Sequence, residues 1–104
     1  MRVALVVFMA AMTAKGNVFA NTEKYCDTIA QMATEYVEDR NAKQPYTTTL
    51  YTIDAAIEQV GFSSAEKQKW RRDLRASAKI AYIDFPKISK QGISKLVRLG
   101  CMSE

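Results

Sequence analysis

The sequence predicts an all-α protein: a compact four-helix domain in which one disulfide joins helix one to the C-terminal tail. Three observations predict it. Apolar residues recur at helical spacing along residues 21–104. Glycine and proline, which interrupt helices, are scarce in that region. The two cysteines of the chain stand near its two ends, where a bridge would hold the bundle closed.

The first twenty residues have the pattern of a secretory signal peptide. Arg2 supplies a positive charge, an uncharged apolar run follows over Val3–Met12, and the small residue Ala20 suits a signal peptidase. The run is too short to cross a bilayer, which takes about 20 residues. We expect cleavage after Ala20, which leaves residues 21–104 as a single helical domain, periplasmic or secreted. An uncleaved anchor and a buried N-terminal core helix are the alternatives.

Cys26 and Cys101 are the only cysteines, and an oxidising compartment would let them pair. Such a bridge would stabilise the domain by about 4 kcal/mol, because it restricts the unfolded chain over most of its length. A reactive thiol pair and a metal site are the rival interpretations. The chain has no histidine to complete an ordinary zinc site and no Cys-x-x-Cys redox motif. We therefore predict a structural disulfide, with no metal and no cofactor.

Helix one is predicted from Thr22 to Asn41, with Thr22 as its N-cap. Its apolar face and the two flanking residues are Tyr25, Ile29, Met32, Ala33 and Tyr36, with Cys26 and Val37. Helix two is predicted from Thr48 to Val60, after Pro45 and before Gly61. Its threonine-rich start would also suit a strand, but an apolar stripe at helical spacing favours a helix. The stripe is Leu50, Ile53, Ile57 and Val60.

Helix three has the clearest start, because Ser63-Ser64-Ala65-Glu66 is a capping-box sequence with Ser63 as the N-cap. It is predicted to continue to Asp84, since Pro86 disfavours helical geometry at Phe85. One apolar face holds Trp70, Leu74, Ala78 and Ala81, and the later residues Ile80, Tyr82 and Ile83 predict a more deeply buried end.

Helix four is predicted from Ser89 to Leu99, with Cys101 following Gly100 in the tail. Its inward residues are expected to be Ile93, Leu96 and Val97. Helices one and four must then be neighbours if the two cysteines are to meet.

Charge is distributed unevenly along the predicted mature chain. Residues 21–66 carry three basic and eight acidic side chains, whereas residues 67–98 carry ten basic and two acidic ones. Four cations of helix three recur every four residues and form a stripe, which Arg72 broadens: Lys67, Arg71, Arg75 and Lys79. Together with the helix-one carboxylates Glu35 and Glu38, the stripe is the candidate partner-binding surface. The alternatives are a solvated face, or two faces that balance each other within the monomer.

Catalysis finds little support in the sequence. The chain has no histidine, the commonest general base, and its serines have no matching partner. A glycosidase-like pair among Asp27, Glu35, Glu38 and Asp39 is the remaining catalytic reading, and a solvated acidic face is the simpler one. We therefore expect a protein that is not an enzyme.

A resemblance to known proteins rests on a few residues near the two ends of the predicted domain. They are the run Cys26-Asp-Thr-Ile29-Ala30 with Met32 and Ala33, and later Ala81-Tyr82, Phe85 and Cys101. This pattern resembles a loose class of small exported two-cysteine helical proteins of proteobacteria and their phages, most of which have no assigned activity. The architecture is also similar to that of periplasmic immunity proteins and of acid-stress periplasmic chaperones. The resemblance carries over no individual binding residue.

These observations favour a secreted or periplasmic protein that binds another protein, as an immunity or inhibitor-type factor. One alternative is an envelope-surface protein that lays its basic helix on anionic lipid. The other is a periplasmic stress chaperone. Nucleic acid is not an expected partner, because an exported protein does not meet it. The sequence leaves the oligomeric state open.

Overall fold

The fold is known from a computed structural model that describes residues 22–103. Within that range the chain forms four α-helices: α1 (Thr22–Asn41), α2 (Tyr46–Gln59), α3 (Ser64–Lys79) and α4 (Lys90–Met102). A π-helical segment, Ile80–Asp84, continues α3. The predicted all-α class and four-helix domain are confirmed. The predicted leader lies outside the described residues and stays a prediction.

Helix α1 is the central element of the bundle, and its predicted bounds are correct. It packs most extensively against α4 and also contacts α3 and the π-helical segment. Tyr25, near the start of α1, meets Trp70 of α3 with ring centroids 4.5 Å apart, and Arg40, near its end, reaches Ala81 O at 3.0 Å. Helices α1 and α3 therefore run in the same direction.

The disulfide between Cys26 and Cys101 forms as predicted, with the two Cα atoms 5.6 Å apart. It joins the start of α1 to the last turn of α4. Near the other end of α1, Glu38 Oε2 lies 2.5 Å from Lys90 Nζ at the start of α4. Helix α4 is therefore antiparallel to α1.

The core consists of the apolar faces that the periodicity predicts. All five predicted inward residues of α1 are buried, as are Cys26 and Val37. Trp70 is the largest fully buried side chain, and it packs against Tyr25 and Phe62. Burial of so large an aromatic contributes several kcal/mol, so Trp70 anchors α3 on the bundle.

Helix α2 begins two residues earlier than predicted, at Tyr46, because Pro45 serves as its N-cap. The Pro45 carbonyl accepts hydrogen bonds from the N–H groups of Thr48 and Thr49, at 3.0 and 3.2 Å. The predicted end is correct to one residue, since Val60 is the extended C-cap before Gly61.

The predicted start of α3 is confirmed by a complete capping box. Ser63 Oγ accepts a hydrogen bond from the Glu66 N–H at 3.2 Å, and Glu66 Oε1 accepts one from the Ser63 N–H at 3.0 Å. The helical stretch ends at Asp84 as predicted, but its last five residues, Ile80–Asp84, form a wider π-helical turn instead of continuing the α-helix. The Phe85 N–H donates to the Ile80 carbonyl, five residues earlier, at 2.9 Å.

This wider turn also overturns the prediction of a deeply buried end. Ile83 is 54% exposed and Phe85 is 52% exposed. A π-helical turn rotates the chain less per residue than an α-helical turn does, so these side chains do not reach the positions that α-helical periodicity assigns to them.

Helix α4 begins after Ser89, whose Oγ accepts a hydrogen bond from the Gly92 N–H at 2.9 Å. The helix continues through Gly100 to Met102, three residues beyond the predicted end, so Cys101 lies inside its last turn. Ile93 and Val97 are buried as predicted, but Leu96 is 40% exposed. The inward assignment of Leu96 is therefore wrong, because α3 and α4 both pack on α1 and leave space between them.

Candidate functional site

The predicted basic stripe is divided between the two flanks of α3. On the flank beside α2, Arg71 Nη2 lies 3.2 Å from Glu58 Oε2, and Arg75 Nη1 lies 2.8 Å from Asp54 Oδ2. Lys67 lies one turn before Arg71 on this flank and is partly exposed. The arginines are thus paired with carboxylates of α2, which the sequence analysis did not foresee.

The remaining two cations of the predicted surface pair with carboxylates that line the space between α3 and α4. Arg72 Nε is 2.9 Å from Asp73 Oδ1, and Lys79 Nζ is 3.0 Å from Asp84 Oδ1. Asp73 is also 3.4 Å from Lys69 Nζ and accepts a hydrogen bond from the Tyr25 hydroxyl. The cations of the predicted stripe are therefore paired with carboxylates on two sides of α3, those of α2 and those beside α4.

The predicted acidic residues Glu35 and Glu38 lie beside α4, away from the α2 flank of α3. Together with residues of α4, they line a polar groove of about 430 Å³. The hydrogen bond from Lys90 lowers the pKa of Glu38, whereas burial and the Glu38 charge raise the pKa of Glu35. Acidic residues of α1 thus pair with cations of α4 rather than with those of α3. Besides the pair of Glu38 and Lys90, Arg98 Nε lies 2.5 Å from Asp27 Oδ1.

A second cavity, the apolar groove, lies between α3 and α4 and has a volume of about 430 Å³. Ile29 of α1 and the disulfide residue Cys101 line it together with side chains of α3, the π-helical segment and α4. These further apolar residues are Ala76, Ile80, Phe85, Leu96, Val97 and Gly100. The groove was not predicted, since helical periodicity assigned its α4 wall to the core.

Large apolar side chains remain exposed along this groove. Phe85 is 52% exposed and Leu96 is 40% exposed, and Leu99, one turn after Leu96 on the rim of α4, is 67% exposed. A single exposed leucine is ordinary, but a contiguous apolar groove that polar residues border is typical of a binding surface.

The two edges of the apolar groove differ in charge. On the α3 side the charged lining residues are Asp73 and Asp84, which pair with cations outside the lining: Lys69 and Arg72 with Asp73, and Lys79 with Asp84. On the facing side, α4 lines the groove with Leu96, Val97, Gly100 and Cys101, none of which is charged. A ligand in the groove would therefore meet apolar surface on one side and an ionised edge on the other.

One signal in the sequence could have indicated the open rim of α4. At 100° per residue its apolar residues spread over more than half of the helix circumference, from Leu99 through Leu96 and Ile93 to Cys101. Contact with α1 alone uses a narrower stripe, so part of this arc had to remain uncovered or meet another surface. No comparable signal existed for Phe85, because its position depends on the π-helical turn.

A polar cluster occupies the end of α1 near the π-helical segment. The Tyr36 hydroxyl and Asp39 Oδ2 are buried, and neither has a hydrogen-bond partner among the described residues. Burial raises the pKa of Asp39, and the neighbouring Glu38 charge adds to this. Burial likewise raises the pKa of Tyr36.

Arg40 ties the same end of α1 to the chain that follows α3. Its guanidinium donates hydrogen bonds to the carbonyls of Ala81, Phe85 and Ile88, at 3.0, 3.4 and 2.9 Å. These carbonyls belong to the π-helical segment and the loop before α4, where regular helical partners are missing. Arg40 therefore stabilises this part of the fold and does not belong to either groove.

Residues 22–103 bring together no group of histidine, cysteine and carboxylate side chains that would hold a metal ion. In the same range, no helix combines the length and the apolar character that a membrane span requires. No protein family, curated protein or solved structure matches the chain.

Proposed function

We propose that this chain is an exported, non-enzymatic helical protein that binds another protein through the apolar groove between α3 and α4, in an immunity or inhibitor-type role. The observation that carries the proposal is the exposure of Phe85 and Leu96, which line a cavity of about 430 Å³, with Leu99 exposed on the next turn of α4. Interfaces between proteins bury aromatic and aliphatic side chains of this kind at their centres.

The disulfide supports export to an oxidising compartment, since bridges between distant cysteines persist there and are rare in the cytoplasm. The signal-peptide pattern of residues 1–20 points to the same destination. A periplasmic or secreted location is therefore part of the proposal.

The proposal changes the weight given to the predicted surface residues. Arg72 and Lys79 border the apolar groove through their partners Asp73 and Asp84, so they belong to the proposed interface. Arg71 and Arg75 are engaged by Asp54 and Glu58 of α2, and exposed pairs of this kind mainly keep charges neutralised.

This same neutralisation leaves the anionic-lipid alternative with less support than the sequence gave it. Arg71 and Arg75 would have to exchange carboxylate partners for lipid headgroups. The exposed apolar residues border a concave groove, whereas a flat bilayer is met by a protruding apolar face. The geometry therefore favours a protein segment over a membrane.

Partner capture tests the proposal. The protein, expressed from its full-length gene and isolated from the periplasm, is used as bait with two variants of equal charge change. Leu99→Glu places a carboxylate on α4, one turn after the lining residue Leu96, whereas Tyr51→Glu places one on α2, which lines neither groove and where the native side chain is 74% exposed. We expect wild type and Tyr51→Glu to retain the same specific protein and Leu99→Glu to lose it.

Circular dichroism of the three baits controls for folding, and an exposed site tolerates the change at a cost within about 0.5 kcal/mol. The proposal fails if no protein is retained above a bait-free control, or if Leu99→Glu retains as much as Tyr51→Glu does. A hydrolytic activity that survives in Leu99→Glu would contradict the non-enzymatic part.

A further inference from the structure

Resting on the proposed function, we propose that the disulfide between Cys26 and Cys101 assembles the apolar groove, so that the chain binds its partner only after oxidation. Binding is then confined to an oxidising compartment. Three features carry this inference: the place of Cys101 in the wall of the groove, the weak attachment of the last turn of α4, and the unequal exposure of the two cysteines.

The disulfide belongs to the wall of the apolar groove. On the α4 side the lining residues are Leu96, Val97, Gly100 and Cys101. The last two of these belong to the final turn of the helix, which ends at Met102. Ile29 lines the groove from α1, one turn after Cys26. The bridge therefore fixes the separation of α1 and α4 beside the groove.

The last turn of α4 has few other attachments to the bundle. Ile93 and Val97 are buried and hold the preceding turns of the helix, but none of residues 98–103 is buried. Cys101 is the residue of this stretch that packs against the core. Gly100 weakens the turn further, because the freedom of its backbone disfavours helix.

Ionic contacts hold this turn only weakly. Arg98 Nε lies 2.5 Å from Asp27 Oδ1, and Arg98 Nη2 lies 3.3 Å from Glu23 Oε2. All three side chains are at least 41% exposed, and exposed pairs of this kind contribute little and weaken in salt. We therefore expect residues 98–103 to fray when the bridge is absent, while the rest of α4 stays in place.

The unequal exposure of the two cysteines gives the order of the oxidation. Cys26 is fully buried, whereas Cys101 is partly exposed and lines the groove. The oxidant is a protein or small molecule that carries a disulfide of its own, and it reaches Cys101 first.

Two exchange steps then form the bridge. The Cys101 thiolate attacks the disulfide of the oxidant, which yields a mixed disulfide and one oxidant thiol. The Cys26 thiolate attacks Cys101 Sγ in the mixed disulfide, which forms the native bridge and releases the second oxidant thiol. The chain loses two electrons and two protons, and the two sulfurs of the oxidant gain them.

Nuclear magnetic resonance of the oxidised and reduced protein tests the inference. The protein is expressed from its full-length gene, isolated from the periplasm and reduced with a phosphine, which acts only at this bridge because the chain has no other cysteine. On reduction, backbone chemical shifts should lose their helical values over residues 98–103 and keep them over residues 90–97. Helical shifts retained over residues 98–103 would overturn the inference. Complete unfolding would also overturn it, because the bridge would then hold the whole fold.

Two glycine variants form a matched pair for this measurement. Gly100→Ala adds a methyl group where a Cβ atom meets nothing within 4 Å, and it should raise the ratio of intact to frayed last turn about fourfold in the reduced protein. Gly61→Ala adds the same group between α2 and α3, where a Cβ atom likewise meets nothing within 4 Å, and it should leave the ratio unchanged. Equal responses would overturn the inference, since the turn would then follow the stability of the whole domain.

Nile red, an uncharged apolar dye, probes the groove itself. Reduction should weaken its binding about threefold or more, because only molecules with an intact last turn present the complete groove. Leu96→Glu places a charge in the lining and should remove dye binding from the oxidised protein, whereas Tyr51→Glu on α2 should not.

Four results with the dye would overturn the inference. They are equal affinity in the two redox states, stronger binding after reduction, no binding to the oxidised protein, and binding that Leu96→Glu leaves unchanged.

Failure of this inference and failure of the proposed function are distinguishable. A partner captured through Leu99 by oxidised and reduced bait alike would remove only the redox control. A frayed last turn and weaker dye binding after reduction, with no captured partner, would support assembly of the groove by the bridge and count against the proposed role.

Discussion

The two ends of α1 are built in opposite ways. At the disulfide end, Cys26 is bridged to Cys101, and Tyr25 packs on Trp70 while its hydroxyl donates to Asp73. At the opposite end of α1, which lies near the π-helical segment and is called the π end below, the Tyr36 hydroxyl and Asp39 Oδ2 are buried. Neither has a hydrogen-bond partner among the described residues. One end combines covalent and apolar contacts with satisfied polar groups, and the other holds unsatisfied ones.

The comparison teaches where the stability of this small domain resides. Buried polar atoms without partners each cost about 1–3 kcal/mol, so the π end consumes stability that other contacts must supply. The disulfide and the Trp70 packing supply it at the other end, and Arg40 offsets part of the cost locally. The three predictions below change one of these contributions each, from the largest effect to the smallest.

Loss of the disulfide should have the largest effect. It closes a sequence separation of 75 residues, and loop-closure entropy then gives about 4 kcal/mol. We expect reduction, or the double change of Cys26 and Cys101 to alanine, to lower the free energy of unfolding by that amount in urea titrations. Because the chain has no other cysteine, a reductant acts only here. An unchanged urea midpoint would show that apolar packing alone holds this end.

Removal of the Arg40 guanidinium should rank second. Arg40→Ala deprives the carbonyls of Ala81, Phe85 and Ile88 of their donor, and we expect a loss of about 2 kcal/mol. Arg75→Ala is the matched control, since it removes an arginine whose partner Asp54 is exposed, at a cost of about 0.5 kcal/mol. Thermal unfolding measures both, and equal losses would mean that the π end does not depend on Arg40.

Neutralisation of Asp39 should have the smallest effect and the opposite sign. Burial raises the pKa of this carboxyl above its ordinary value of 3.8, so the folded state favours the protonated form. The associated stability is present below pH 3.8 and is lost as pH rises through the folded-state pKa. We expect Asp39→Asn to stabilise the protein at pH 7 by about 1 kcal/mol.

The pH dependence of the difference between the two proteins is the decisive measurement for Asp39. The advantage of Asp39→Asn over wild type should shrink as pH falls through the raised pKa toward 3.8. Taking the difference cancels the opposite contribution of Glu38, whose pKa the Lys90 hydrogen bond lowers. A constant advantage across that range would show that the gain has another cause.

Local signals in the sequence were sufficient for most of the fold. The Ser63 and Glu66 capping box and the spacing of Trp70 and Leu74 act within a few residues, so they survive in any helical arrangement. The disulfide followed from the count of cysteines. These features need no knowledge of which helices are neighbours.

The candidate site required knowledge of the neighbours. The partners of Arg71 and Arg75 come from α2, and those of Glu38 come from α4, and periodicity does not say which helix lies beside which flank. The apolar groove exists because α3 and α4 both contact α1 and leave space between them. Leu96 was assigned to the core because an apolar residue on an inward arc is ordinarily covered.

The wide turn at Ile80–Asp84 acts like a one-residue insertion in the phase of a helix that begins at Ser64. Deletion of one residue there would restore an uninterrupted α-helical phase and carry the Phe85 ring away from the groove that it now lines. Spacing at a single turn, as much as side-chain chemistry, thus decides whether this ring is offered to another molecule. Closely related chains that differ only in length at this point would then differ in what they bind.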